Sequence, residues 1–296
     1  MPIHRERYRR RASADPGRPD LAGGREAGAD VRGRAWIVIA ANGLRMLARK
    51  RPFLFLMILA WIPAIVRGVQ IYAASNVPSA AQIGFLAITA RTFRDFLNQQ
   101  ETFVFFVTVY AGSGLIADDI RANALQLYLS RPVTRAQYIA GKAAILMTVL
   151  AAVTWLPAMV LLFLVPVFAG SMTFVTDNLY LIPAISAFAV IQLTLSAFMI
   201  LAVSSLSKSR WFVAIMYAGL SFFTHAVFGV IGAAVDGTAF SWVSIFANLG
   251  QISDVLFRMP PRYDTHPLAS AAAIAAIVFV SAFVLSRRIR AVEVVS

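Results

Sequence analysis

Six long apolar segments constrain this chain more than any other feature of its sequence. Because about 20 apolar residues cross the hydrocarbon core as a helix, each predicts a membrane span. The second segment has only roughly 16 residues, which rise about 24 Å, so we expect its helix to begin earlier, near Leu97. The segments are Phe53–Tyr72, 102–117, Ala143–Phe168, Leu179–Val203, Trp211–Val235 and Leu268–Leu285.

The composition agrees with this interpretation. Hydrophobic residues make up 59% of the chain and charged residues only 14%, which excludes a soluble domain of this length. The chain has no cysteine, which excludes a disulfide, a thiolate nucleophile and a thiolate metal site. The sequence therefore predicts an all-α integral membrane protein with six transmembrane helices.

Two further segments are partly apolar but carry polar residues that are costly at the bilayer centre. They are Ile83–Leu97 and Phe240–Phe257. We expect each to form an amphipathic helix that is interfacial or re-entrant and does not span. Their polar residues are Arg91, Arg94, Asp95, Asn248, Gln251, Ser253 and Asp254.

The basic residues set the orientation. Six spans place both termini on one side of the membrane, and 22 of the 27 Lys and Arg residues then lie on that side. Since basic residues are enriched in cytoplasmic segments, we expect a multi-pass cell-membrane protein with both termini in the cytoplasm. This asymmetry accounts for the net charge of +13 without a nucleic acid partner.

The N-terminal region differs from the rest. Residues 1–34 carry nine Arg and five acidic residues among prolines and glycines, which predicts a disordered basic cytoplasmic tail. Its arginines fit a solvated topology signal better than a binding site for anionic lipid or nucleic acid. We expect residues 35–290 to form one six-span membrane domain, which begins with an amphipathic helix over Trp36–Arg51 on the membrane surface, in contact with lipid.

A charged connector joins the second and third spans. Asp118 and Asp119 lie where a helix would begin, and the helix dipole favours carboxylates there. Leu125 and Leu129 are one turn apart and give this helix an apolar face. The pattern predicts a short cytoplasmic helix over Asp118–Ser130.

The same connector contains residues that end its helix and begin the helix of the third span. Pro132 disfavours helical geometry at Arg131 and ends the first helix. Thr134 and Gln137 have capping-box spacing and begin the third span. The result is helix, break, helix, surrounded by the basic residues Arg121, Arg131, Arg135 and Lys142.

This connector resembles that of the permease subunits of type-2 ABC exporters. The chain departs from the family pattern by having Asp where Glu is usual, and Asn123–Ala124 where Gly followed by Thr or Ser is common. The matching residues are Gly114, Asp118 or Asp119, Leu125, Leu127, Leu129, Pro132, Val133, Thr134, Arg135, Tyr138, Gly141 and Lys142.

The resemblance implies a function and an assembly. Two permease subunits, in a homodimer or a heterodimer, would work with two separate ABC ATPase subunits, and the surface helix before the first span would be the family's elbow helix. The chain has no G-x-x-x-x-G-K-[ST] phosphate loop, so ATP and Mg²⁺ would bind the partner, and this chain would bind no cofactor and not be an enzyme. The implied ATPase-coupling residues are Asp118, Asp119, Arg121, Leu125, Leu129, Arg131, Pro132, Arg135 and Lys142.

Two other function classes fit parts of the sequence. Adjacent Asp118 and Asp119 suggest an intramembrane enzyme with a metal–diphosphate site. Such a site needs further carboxylates about one turn away, and Ile120 to Asn123 supply none. A non-transporting membrane scaffold or assembly protein would function without an ATPase partner. The export function is favoured over both, and the substrate is not specified by the sequence.

Three polar residues inside the spans are candidates for a transport path. Gln192 and Ser196 belong to a stripe of small and polar residues on the fourth span, which is typical of helix packing. His225 is isolated on the fifth span, where a hydrogen bond to a neighbouring helix is the commoner role than a proton relay.

Overall fold

The computed structural model describes residues 35–77, 87–124, 134–235 and 237–294. Helices make up 83% of the structure, and the described part contains no strand, which confirms the all-α prediction. In chain order the helices are α1 (Ala35–Ala48), α2 (Arg51–Asn76), α3 (Ala90–Gly112), α4 (Ala117–Arg121), α5 (Arg135–Val153), α6 (Trp155–Ala169), α7 (Thr173–Asp177), α8 (Leu181–Ser205), α9 (Arg210–Val235), α10 (Ile245–Leu256) and α11 (Pro267–Val294), with a 3-10 turn at Ser241–Val243.

Six stretches of the described chain are long and apolar enough to cross a membrane. They confirm the six-span layout, with α3 and α4 forming the second span and α5 and α6 the third. The spans are Arg51–Asn76, Ala90–Arg121, Arg135–Ala169, Leu181–Ser205, Arg210–Val235 and Pro267–Ile289.

The second span begins earlier than expected. Its helix starts at Ala90, after Thr89 and Thr92 close a capping box, so the prediction of a separate amphipathic helix over Ile83–Leu97 is wrong from residue 90 onward. Residues 83–86 of that segment lie outside the described part. Ion pairs of Asp95 with its neighbours Arg91 (3.6 Å) and Arg94 (3.3 Å) offset charges in the first turns of the helix.

The N-terminal helix α1 packs along α5. A Cβ atom on Gly141 would lie 2.8 Å from the side chain of Ile39 and 3.1 Å from the carbonyl oxygen of Trp36. Only glycine therefore permits this approach of the two helices. Pro52 in the first turn of α2 follows the sequence expectation, because its missing N–H is unpaired there anyway.

The fourth span is the centre of the bundle. Helix α8 contacts α3, α5, α9 and α11, and most of its residues are buried. The fifth span is the opposite case, since only Val213, Tyr217 and Ser221 of α9 are buried. The described chain thus leaves most of the apolar surface of α9 uncovered.

A single glutamine joins the first three spans. The Gln100 side chain is fully buried and donates to the carbonyl oxygens of Ala60 and Val153, both at 3.0 Å. Pro157 has no N–H for the Val153 carbonyl four residues earlier. Gln100 supplies the missing donor where the third span is interrupted at Thr154.

The segment Phe240–Phe257 forms the short turn and α10. At 12 residues, α10 is too short to cross a bilayer. Its polar side turns inward, because Asn248, Gln251 and Asp254 are all buried, whereas Trp242 and Val255 are exposed. The helix is amphipathic, as expected. Its polar side chains form contacts inside the protein and do not face outward.

Candidate functional site

The connector begins directly at the end of the second span. Helix α4 has Asp118 and Asp119 in its first turn, as the sequence predicts. Its preceding backbone is bound by Ser204 of α8, whose Oγ accepts from the N–H groups of Ile116 (3.2 Å) and Ala117 (3.0 Å). The same hydroxyl donates to the Ser113 carbonyl oxygen at 3.0 Å, so the fourth span fixes the start of the connector.

Asp119 binds the beginning of the third span. The Lys142 Nζ lies 2.7 Å from Asp119 Oδ2, and the Lys142 side chain is only 9% exposed. The Tyr138 hydroxyl donates to the same oxygen at 2.7 Å. A nearly buried lysine needs such a counter-ion, because an unpaired buried charge is strongly destabilising.

Asp118 binds the beginning of the fifth span. Its Oδ2 accepts from the guanidinium of Arg210, the first residue of α9, and its Oδ1 lies 3.2 Å from Arg121. A Cβ on Gly114 would lie 2.6 Å from Asp118 Oδ2, so glycine makes room for this carboxylate. Through the two aspartates, the end of the second span is joined to the starts of the third and fifth.

The described part of the predicted helix Asp118–Ser130 is interrupted after Arg121. Helix α4 ends at Arg121, and Asn123 has a positive φ of 53°, a left-handed conformation that asparagine tolerates better than most residues. Leu125, Leu129, Arg131 and Pro132 lie outside the described residues.

The predicted start of the third span at a capping box is confirmed. Thr134 Oγ1 accepts from the backbone N–H of Gln137 at 3.3 Å, and Gln137 Oε1 accepts from the Thr134 N–H at 3.0 Å. The capping box therefore begins α5 immediately before Arg135.

The three candidate path residues do not form one group. Gln192 and Ser196 line a small cavity between the second, fourth and fifth spans and α10. His225 lies on an exposed part of α9, where its Nδ1 is 3.0 Å from Ser244 Oγ. This contact is the helix-to-helix hydrogen bond expected for an isolated histidine.

Sequence reasoning did not identify Glu101, the strongest candidate for a functional residue in this cavity. Glu101 lines it beside Gln192 and Ser196, about 16 Å along the helix from Ala90 at 1.5 Å per residue. A carboxyl group within an apolar span is expensive and by default marks function. Its position close to the charged start of the second span concealed that signal.

A second charged cluster lies at the opposite end of the bundle. Asp254 of α10 is only 1% exposed and accepts two hydrogen bonds from Arg262, at 2.7 and 2.8 Å. Arg94 lies 3.5 Å from the same carboxylate. The hydrogen bonds to Asp254 raise the pKa of Arg262, because they stabilise its charged form.

Within the described ranges, no three His, Asp or Glu side chains converge as metal ligands. No curated protein matches the chain at a significant level. Residues 37–285 match the family described as ABC-2 family transporter protein, whose members are membrane components without their own ATPase site. This match covers most of the sequence and agrees with the six apolar helices. The chain is therefore a multi-pass membrane protein that belongs to the ABC-2 transporter family.

Proposed function

We propose that this chain is the transmembrane permease subunit of an ATP-driven exporter. A separate ABC ATPase supplies the energy and binds ATP and Mg²⁺, and a second permease subunit, identical or related, completes the transport path. The proposal places the permease in the cell membrane with both termini in the cytoplasm. It rests on family membership together with the contacts of the connector.

One observation carries the mechanism: the connector is joined to several spans at once. Asp119 binds Lys142 at the start of the third span, Asp118 binds Arg210 at the start of the fifth, and Ser204 binds the backbone before α4 from the fourth. A movement of the connector would therefore be transmitted to the second, third, fourth and fifth spans together. Such coupling of one site to a global change is what ATP-driven alternation of access requires.

The uncovered surface of α9 supports a second permease subunit. Large apolar side chains of this helix are exposed, among them Trp211, Ile215 and Phe223. Lipid or a neighbouring subunit has to cover them. Two copies, or a copy and a relative, in contact near this helix would also bring two polar cavities close to a shared path.

The connector provides the test. The full chain carries an affinity tag in its native host, and the ABC ATPase that co-purifies is identified and its ATP hydrolysis measured in liposomes. Leu125→Asp places a charge on the predicted apolar face of the connector. Since an unpaired charge buried in a partner groove costs several kcal/mol, we expect loss of ATPase binding with normal membrane insertion.

Leu179→Asp is the matched control, because Leu179 is exposed just before α8, at the end of that helix opposite to Ser204. It adds the same charge away from the connector and should retain the ATPase. Equal ATPase binding by the parent and Leu125→Asp would remove the coupling role of the connector. A functional chain that never binds an ATPase would instead favour a membrane scaffold.

A further inference from the structure

Glu101 is an acidic residue inside the second span, and no described basic residue forms an ion pair with it there. No described residue donates a hydrogen bond to its buried Oε1. The charge of Arg262 acts on Glu101, but this guanidinium is already bound by both oxygens of Asp254. Glu101 is partly buried, and a carboxylate within a span is unfavourable without a partner. This placement favours a ligand for Glu101.

The described part of the cavity beside Glu101 has a second acceptor without a partner. Gln192 lies on its wall and is 1% exposed, and its Oε1 has no partner among the described residues either. Two buried acceptor oxygens on the wall of one cavity are complementary to a group that carries several donors. The hydroxyls of Ser196 and Tyr217 bond to each other on the same wall, and each oxygen can accept a further hydrogen bond.

Aromatic rings complete the wall. Phe105 stacks on Tyr217 with centroids 5.7 Å apart, and both rings line the cavity together with Phe246. Aromatic faces attract cations, most strongly where water is excluded. The remaining wall is aliphatic, with Val104, Leu195 and Met199 among its residues.

The free volume is about 20 Å³, which is room for one group of the size of water. A primary ammonium group has this size and carries three donors and one positive charge, while the organic part of the amine would extend beyond this small volume. We propose that this cavity binds the primary ammonium group of an amphipathic amine, with Glu101 as its counter-ion. The inference rests on the proposed export function and assigns a substrate class to it.

Two smaller occupants fit less well. An alkali ion needs a shell of oxygens, whereas much of this wall is aromatic or aliphatic. A proton on Glu101 would cancel its charge but supply a single donor for several acceptors. Both become outcomes of the test.

The test measures binding to the full chain in lipid nanodiscs, without an ATPase. The probe is 2-phenylethylamine, cationic at pH 7, compared by calorimetry with the neutral 2-phenylethanol and with sodium chloride. We expect binding of the amine and not of the alcohol. Glu101→Gln keeps the side-chain shape and should weaken amine binding about 10- to 100-fold, the loss of a charged hydrogen bond.

Asp95→Asn is the matched control. It removes a carboxylate from the same helix, at a residue that is partly exposed and not part of the cavity wall, and should leave amine binding unchanged. Gln192→Met removes an acceptor without a charge change and should weaken binding about tenfold. If Glu101→Gln fails to fold, the effect of Gln192→Met on amine binding tests the ammonium site instead.

Several results would overturn the ammonium site. These are no amine binding by the parent, equal binding of the alcohol, equal binding by Glu101→Gln, or stabilisation by sodium in place of the amine. Since the measurement needs no ATPase, none of them affects the export proposal. Conversely, amine binding through Glu101 in a chain that recruits no ATPase would remove the export role and retain the site.

Discussion

The carboxylates at the two ends of the bundle are paired in different ways. Asp254 is buried, and both of its oxygens bind Arg262, a residue only eight positions away. Asp118 and Asp119 are partly exposed and bind residues that begin two other spans. The first arrangement is deep and includes Arg94 of the second span, whereas the second is partly exposed and open to a partner. We expect a cluster that transmits movement to be shallow and one that only stabilises to be deep.

The buried cluster should give the largest loss of stability. Asp254→Asn leaves Arg262 and Arg94 facing a neutral amide in a site only 1% exposed, and breaking a buried pair costs about 3–5 kcal/mol. We expect the lower end of this range, because the Arg262 side chain is 31% exposed. Unfolding in mixed micelles, followed by circular dichroism, measures the change.

Asp177→Asn, at an exposed carboxylate on α7, is its control. It should lower the free energy of unfolding by less than about 0.5 kcal/mol. An Asp254→Asn loss as small as that of the control would mean that the cluster is not the stabilising element of its end.

The connector should respond with a smaller loss of stability. Asp119→Asn removes the counter-ion of Lys142, which lies 2.7 Å away and is 9% exposed. We expect a loss of about 2 kcal/mol in the free energy of unfolding, measured in the same micelles, together with reduced stimulation of the bound ATPase.

Arg121→Gln provides the comparison within the connector. The Arg121 side chain is 62% exposed, and exposed pairs contribute about 0–1 kcal/mol. If the two substitutions had equal effects on stability, burial of Lys142 would not be what makes the Asp119 pair important.

The smallest expected effect is a change of stability with pH at Asp264, in the loop between α10 and α11. The side-chain and backbone hydrogen bonds of Thr238 lower the pKa of Asp264 from its ordinary value of 3.8. A depressed pKa in the folded state means that Asp264 stabilises the protein above its unfolded-state pKa. This stability is lost as the pH falls through the folded-state pKa, below about 4.

The measurement is the stability of the parent and of Asp264→Asn between pH 6 and pH 3. We expect the parent to lose its small advantage over the variant in the acidic part of this range. A constant difference across the range would show that Asp264 does not titrate differently in the two states.

The sequence predicted the elements that depend on local physics. Apolar length gave the six spans, and the spacing of Thr134 and Gln137 gave the start of the third. Contacts between distant segments were not predictable from pattern alone. Nothing in the sequence pairs Asp118 with Arg210, or Ser204 with the backbone before Ala117.

The misses have physical reasons. The charges of Arg91, Arg94 and Asp95 suggested a surface helix, but pairing among themselves and with Asp254 makes them tolerable in a continuous span. The amphipathic helix expected over Phe240–Phe257 is present as α10. Its polar side binds Arg262 and the loop backbone inside the protein, which the pattern alone did not indicate. Glu101 was overlooked because no nearby residue identifies its neighbours on the fourth and fifth spans.

One hydrogen bond has a consequence for how the chain is made. Ser253 of α10 donates to Asn98 of the second span at 3.2 Å, across 155 residues of sequence, and Asp254 beside it pairs with Arg94. A ribosome that adds about 5–20 residues per second needs roughly 10–30 seconds to produce that distance. During this interval the polar start of the second span is already synthesised while its last partners are not. The order of synthesis thus makes the completion of this end of the protein one of its final steps.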